Sequence, residues 1–114
     1  MTAVPTLGRI VLYKLSDRDA FAINQRRFDA HRHMEQHRET ANGVMIHVGN
    51  QVASGQEVPA IIVAVHGDTP DSAVNLRCLL DGTDTFWATS RLRGTQGGMW
   101  SWPVIAPVPM HSQN

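Results

Sequence analysis

Several things are scarce or missing in this chain, and each excludes a class of protein. A single cysteine, Cys78, excludes an internal disulfide framework and a thiolate metal cluster. Ten basic and ten acidic residues cancel, so the strongly basic surface that supports nonspecific nucleic-acid binding is absent. No apolar run is long enough to span a bilayer, and no charged-then-apolar segment opens the chain. We therefore expect a soluble protein without a signal peptide and without nucleic-acid or membrane partners.

The length and composition predict one small domain. A chain of 114 residues with 42% apolar residues can bury one modest core, so a single domain over 1–114 is expected. The proline, serine, glutamine and asparagine near the C-terminus predict a loose end over 104–114. Residues 1–7 are expected to be loose as well.

One long helix is predicted early in the chain. Ser16 is a suitable N-cap, and Asp19 stands three positions later, where a capping-box partner is expected. Neither glycine nor proline interrupts residues 17–40, and Asn42-Gly43 is a good helix stop. The second half of this helix is almost wholly polar, so we expect only the first half to pack on the domain.

The remaining pattern is that of short strands separated by turns. Period-two or apolar runs occur at 9–15, 44–48, 60–66, 73–80, 85–92 and 99–102. These runs predict a β-rich α+β fold: a small antiparallel sheet or open SH3-like barrel of about six strands, with the helix inserted between strands 1 and 2. The residues expected in its core include Ile62, Val63, Leu76 and Phe86.

Alternation along two of these strands defines a candidate binding surface. Side chains alternate across a strand, so the face opposite Leu76 and Phe86 should form one surface. Its members are Asn75, Arg77, Trp87, Thr89 and Arg91. Tryptophan can stack on a base and arginine can hold phosphate, so this surface suits a small anionic, nucleotide-like ligand. Trp100 and Trp102 share a parity and belong either to the same surface or to the opposite core.

No catalytic or metal-binding constellation is recognised. His33 and His37 stand four apart on the predicted helix, but the set lacks its remaining ligands. Cys78 lies on the apolar parity of its strand and is expected to be an inert core thiol. We therefore predict a protein that is not an enzyme and that needs neither a metal nor another cofactor.

Several short motifs resemble those of small proteins encoded by tailed bacteriophages and prophages. They are Gly8-Arg9-Ile10-Val11-Leu12-Tyr13, Asp81-Gly82, Trp87-Ala88-Thr89-Ser90 and Trp100-Ser101-Trp102-Pro103. In size, β-rich build and arginine-plus-aromatic faces, the chain also resembles phage sponge proteins, which sequester cyclic nucleotide or cyclic ADP-ribose immune signals. The resemblance implies a location in the cytoplasm of an infected bacterium, and it assigns no functional residue.

Two functional hypotheses follow from the chain. The first is a phage accessory protein that sequesters a nucleotide-derived immune signal on the candidate binding surface around Trp87. The alternative is a phage structural or assembly protein in which the same surface is a subunit interface. Under either hypothesis we expect a homo-oligomer, because a long half-polar helix and a sheet with two aromatic faces need additional covering.

Overall fold

Five strands and one helix make up the part of the chain that the computed structural model describes, residues 3–38 and 49–104, with side chains through Arg32 in the first range. The elements are β1 Ile10–Lys14, α1 Asp17–Arg38, β2 Glu57–His66, β3 Ala73–Leu79, β4 Thr85–Arg91 and β5 Trp100–Ser101. The predicted β-rich α+β fold is confirmed, with an open antiparallel sheet and the helix inserted after the first strand. The predicted strand at 44–48, the helix stop at Asn42-Gly43 and residues 39–40 lie outside the described residues.

The predicted capping box starts α1. The Ser16 hydroxyl accepts a hydrogen bond from the Asp19 backbone N–H at 3.1 Å, and the Asp19 carboxylate accepts one from the Ser16 backbone N–H at 3.1 Å. Ile23 is buried one turn later, and the Asn24 amide makes two hydrogen bonds of 2.8 Å to the backbone of Val52. The first half of the helix is therefore fixed to the domain, as predicted.

The strand order places the last strand beside the first. The sheet runs β4-β3-β2-β1-β5, and every neighbouring pair is antiparallel. β2 begins earlier than predicted and includes Pro59, which pairs with Leu12 of β1. Pairing with β3 starts only at Ala60. The proline thus lies where β2 has a single paired neighbour, which a residue without an N–H tolerates.

Two irregularities in the strand pairing bend the sheet. One lies between Ile62 and Ala64 of β2, and the other lies in β4 before Arg91, where Ser90 has a φ of 55°. Such bulges increase local twist and redirect side chains. The Arg91 guanidinium lies 5.7 Å from the Tyr13 ring centroid, although two strands separate β4 from β1. The inner side of the sheet is therefore strongly curved.

The core fills this curved inner face, with Ala20 and Ile23 contributed by α1. Its other buried apolar members are Val11, Tyr13, Leu15, Val52, Val58, Ala60, Ile62, Val74, Leu76, Cys78, Leu80, Ala88 and Trp100. Leu76 and Ile62 are core residues as predicted, and Phe86 is partly buried against them. The prediction for Val63 is wrong, because this residue sits in the β2 bulge and is 43% exposed.

The residues before β1 are attached to the domain rather than loose. Pro5 is buried, and the Gly8 backbone N–H donates to the Ile62 carbonyl at 2.9 Å. Residues 1–2 and 105–114 lie outside the described residues. Among the residues described, no helix is long and apolar enough to cross a membrane.

Candidate functional site

The side of the sheet opposite the core, called here the outer face, carries a row of aligned side chains. Strand pairing places Ile10 opposite Ile61, Ile61 opposite Arg77, and Arg77 opposite Trp87. Directly paired residues share a face, so this row crosses four strands. Ile10 and Trp87 are each 56% exposed.

Further apolar side chains extend this row into a patch. Val63 is 43% exposed, and Leu79 is 38% exposed. Solvent exposure of this degree means that no element among residues 3–38 and 49–104 covers the outer face. A contiguous exposed apolar surface on a small protein commonly marks a binding surface.

Arg77 and Trp87 form the centre of the predicted binding surface. They are direct cross-strand neighbours, and Thr89 is exposed two residues further along β4. Within the described residues the Arg77 guanidinium has no hydrogen bond or ion pair. The structure therefore brings together three residues of the predicted surface, Arg77, Trp87 and Thr89. The Arg77 guanidinium, which makes no contact of this kind, lies beside the exposed indole of Trp87.

Asn75 has a local structural role at the edge of this surface. Its side-chain oxygen accepts a hydrogen bond from the Ser90 backbone N–H at 2.8 Å and lies 3.2 Å from Nε2 of His66. The first contact holds the β4 bulge in place. The amide oxygen is thus already used within the fold, which leaves Arg77, Trp87 and Thr89 as the candidates for external contacts.

The prediction that Arg91 shares this surface is wrong. The bulge at Ser90 adds a residue to β4, so Arg91 pairs with the buried Val74 and points to the inner face. There its guanidinium lies 3.6 Å from the Asp19 carboxylate. Arg91 therefore supports the core-side network rather than a ligand on the outer face.

Trp100 and Trp102 also lie on the inner side, away from Trp87. Trp100 is fully buried and packs edge to face against Trp102, with ring centroids 5.2 Å apart and an interplanar angle of 88°. Trp102 is partly buried against the core, and the Arg9 guanidinium stacks 4.6 Å from its ring centroid. Both tryptophans therefore belong to the core side of the sheet and not to the surface around Trp87.

A polar network joins the start of α1 to the inner face. The Tyr13 hydroxyl donates a hydrogen bond to the Asp19 carboxylate, which also accepts from the Ser16 backbone and faces Arg91. Burial raises the pKa of Tyr13, and the hydrogen bond and charge of Asp19 raise it further. The phenol is therefore neutral near pH 7, and the network fixes the helix start to the sheet.

A second polar cluster, which the sequence analysis missed, lies between α1 and the β3–β4 turn. Asp84 accepts hydrogen bonds from Arg26 at 2.5 Å and from Arg27 at 3.0 Å. Burial raises the pKa of Asp84, but the hydrogen bonds from Arg27 and Arg26 outweigh burial and hold it below its ordinary value. Arg27 falls on the helical spacing that follows Ala20 and Ile23, and this position was the available signal that it would be buried.

The described residues contain no cluster of three or more potential metal ligands. The side chains of His33 and His37 are outside the described part of the chain, so the metal prediction stays a prediction. Cys78 is buried as expected, and burial, followed by the nearby charge of Asp19, raises its pKa to about 12. This thiol is therefore protonated and unreactive near neutral pH.

Comparison with known proteins gives no relative: no protein-family model, no curated protein and no solved structure matches this chain.

Proposed function

We propose that this protein is a non-enzymatic structural or assembly protein that binds a second copy of itself through the outer face of its sheet. The observation that carries the proposal is the exposed Trp87 in a row with Arg77, Ile61 and Ile10. Tryptophan and arginine are enriched among the residues that dominate binding energy at protein interfaces. A surrounding apolar patch excludes water from such a pair.

The shape and charge of the surface favour a protein partner over a small ligand. Small-molecule sites are concave, whereas Trp87 lies on the outer side of a curved sheet. The chain has a net charge of zero, so two copies do not repel each other at long range. In a two-fold symmetric dimer, the patch of one copy contacts the same patch of the other copy. An apolar patch is complementary to itself in such a dimer.

The test is light scattering over a concentration series with three proteins. The parent should form dimers at micromolar concentration. Trp87→Ala should raise the dissociation constant of the dimer by roughly tenfold or more. Phe21→Ala is the matched control, because Phe21 is 70% exposed on α1 and outside the patch. A monomeric parent, or equal dissociation in both variants, would reject the proposal.

The alternative candidate is sequestration of a nucleotide-derived signal inside an infected bacterium. The observation that favours it is the uncommitted Arg77 guanidinium beside Trp87, a pair suited to phosphate and a stacked base. Calorimetry with cyclic nucleotides and cyclic ADP-ribose isomers tests it. Under this alternative, Arg77→Ala lowers ligand affinity roughly tenfold to a hundredfold without changing the oligomer. Under the interface proposal no such ligand binds at this face.

A further inference from the structure

The chain leaves the described structure at one edge of the outer face. β5 pairs with β1 in the antiparallel direction, so the residues after Ser101 run back toward the start of β1 at Ile10. The Arg9 guanidinium lies over the Trp102 ring, which places this part of the chain beside the residue that precedes Ile10. Val104, the last residue described, is 95% exposed. The residues that follow therefore start beside the first member of the row that crosses the outer face.

The sequence at this exit point is apolar and contains several prolines. Residues 104–110, called here the proline-rich segment, comprise two prolines, four aliphatic residues and one methionine, and Pro103 precedes them. The segment has no charged residue and no glycine. Proline restricts the backbone to extended conformations, so such a segment loses less conformational entropy on binding than a flexible one. Proline also lacks an N–H for strand pairing, so the segment is better suited to lie on a face than to extend the sheet.

We propose that the proline-rich segment binds across the outer face of its own chain and competes there with a second copy. In the monomer the segment covers the face, and in the dimer the second copy displaces it. The competition rests on the function proposed above. The covering of the face in the monomer does not depend on it.

The segment is long enough to reach from its starting point to Trp87. Neighbouring strands lie about 4.8 Å apart, so the row from Ile10 to Trp87 crosses three strand spacings, or roughly 14 Å. Seven residues in the polyproline II conformation span about 22 Å, which leaves a margin for the curvature of the sheet. A short attached segment has an effective concentration in the millimolar range, so even a weak contact covers the face in part of the molecules.

The residues of the outer face suit such a segment. Proline-rich segments dock on aromatic side chains, and the Trp87 indole is 56% exposed. Polyproline II backbone has no internal hydrogen bonds, so its carbonyl oxygens are free to accept. The Arg77 guanidinium lies beside Trp87 and can donate to them. Val63 and Leu79 add exposed apolar surface for the aliphatic side chains of the segment.

Covering the face in this way weakens self-association. A dimer forms only from two copies whose outer faces are both open, so its apparent dissociation constant rises as the inverse square of the open fraction. If about one third of the molecules are open, the dissociation constant rises roughly ninefold. The segment thus sets the protein concentration at which the outer face begins to pair.

Acrylamide quenching of tryptophan fluorescence, at concentrations where the protein is monomeric, tests the covering of the face. Trp100 and Trp102 lie on the inner side, so quenching reports mainly on Trp87. Val108→Lys places a charge in the apolar segment and should raise the quenching constant roughly twofold, because a charged side chain resists desolvation on an apolar face. Ser112→Lys is the matched control: it adds the same charge outside the segment and should leave quenching at the parent value.

Light scattering on the same three proteins tests the competition. Val108→Lys should lower the dissociation constant of the dimer roughly threefold to tenfold, and Ser112→Lys should not change it. The inference is overturned if Val108→Lys leaves quenching unchanged. It is also overturned if the parent dimerises and Val108→Lys does not lower the dissociation constant. Increased quenching in a protein that never dimerises would instead reject the proposed function and retain the covered face.

Discussion

The inner and outer faces of the sheet are built from the same strands, yet the apolar residues of the inner face are buried and those of the outer face are exposed. In β3, Leu76 is fully buried on the inner face, while Leu79 is 38% exposed on the outer face. The need for a core accounts for the first. Nothing in the described fold requires an apolar residue at the second, or an indole at Trp87. Our proposal explains this difference: the outer face is apolar because it contacts a second copy of the chain.

Two arginines sharpen the same comparison. Arg91 turns inward at the β4 bulge and approaches the buried Asp19, whereas Arg77 stays outside beside Trp87. The first is committed to the fold, and the second is available to a partner. Substitutions that separate folding from binding should therefore separate these two positions.

The largest contrast is expected between two leucines of one strand. Leu76→Ala should lower the free energy of unfolding by roughly 2–5 kcal/mol, because it leaves a cavity in the core. Leu79→Ala should cost no more than about 1 kcal/mol in the monomer, since the side chain is already partly exposed. Urea denaturation under monomeric conditions measures both. Similar losses at the two positions would contradict the assignment of faces.

A smaller contrast is expected between the two arginines. Arg91→Ala leaves the buried Asp19 carboxylate without its cation and should cost roughly 1.5–3 kcal/mol. Arg77→Ala should change monomer stability by no more than about 0.5 kcal/mol. Thermal melting of the monomeric proteins checks this pair. If Arg77→Ala destabilised the monomer as much as Arg91→Ala does, the Arg77 side chain would have to make stabilising contacts within the monomer, which would contradict its position on the outer face.

The smallest effect concerns pH and the Tyr13–Asp19 contact. Burial and Asp19 raise the pKa of Tyr13 above its ordinary value of 10.0, so the unfolded chain loses this proton first. The raised pKa therefore adds to the free energy of unfolding, and this stabilisation is complete below about pH 10. Above that pH it declines by at most about 1.4 kcal/mol per pH unit. The stability difference between the parent and Tyr13→Phe should therefore shrink as the pH rises above 10. Cys78 is present in both proteins and cancels. A constant difference would contradict the raised pKa.

The local features of the fold could be predicted from the sequence, because they depend on neighbouring residues. The capping box of Ser16 and Asp19 and the alternation that buries Leu76 and Cys78 are of this kind. The β3–β4 hairpin follows equally from the short turn at Asp81-Gly82. Each requires only the spacing of residues within one element or across one tight turn.

The misassigned residues depend on contacts between distant parts of the chain. Strict alternation fails at Arg91 because a bulge in β4 shifts the register, and strand pairing sets that bulge. The apolar run of β2 predicts a strand buried on both faces, but Val63 is 43% exposed because no described element covers the outer face. Trp100 is buried because β5 crosses the sheet to pair with β1, a topology that no local pattern specifies. Arg27 has a visible helical position, but its enclosure by Gly49 and Gly82 appears only in three dimensions.

Residue-resolved hydroxyl-radical footprinting tests the central claim about the outer face most directly. As the protein concentration is raised through the association range, labelling of Trp87, Leu79 and Ile10 should fall together. Labelling of Phe21, exposed on α1, should stay constant. Unchanged labelling of Trp87 at concentrations where light scattering detects association would show that copies meet through another surface, and would contradict the account.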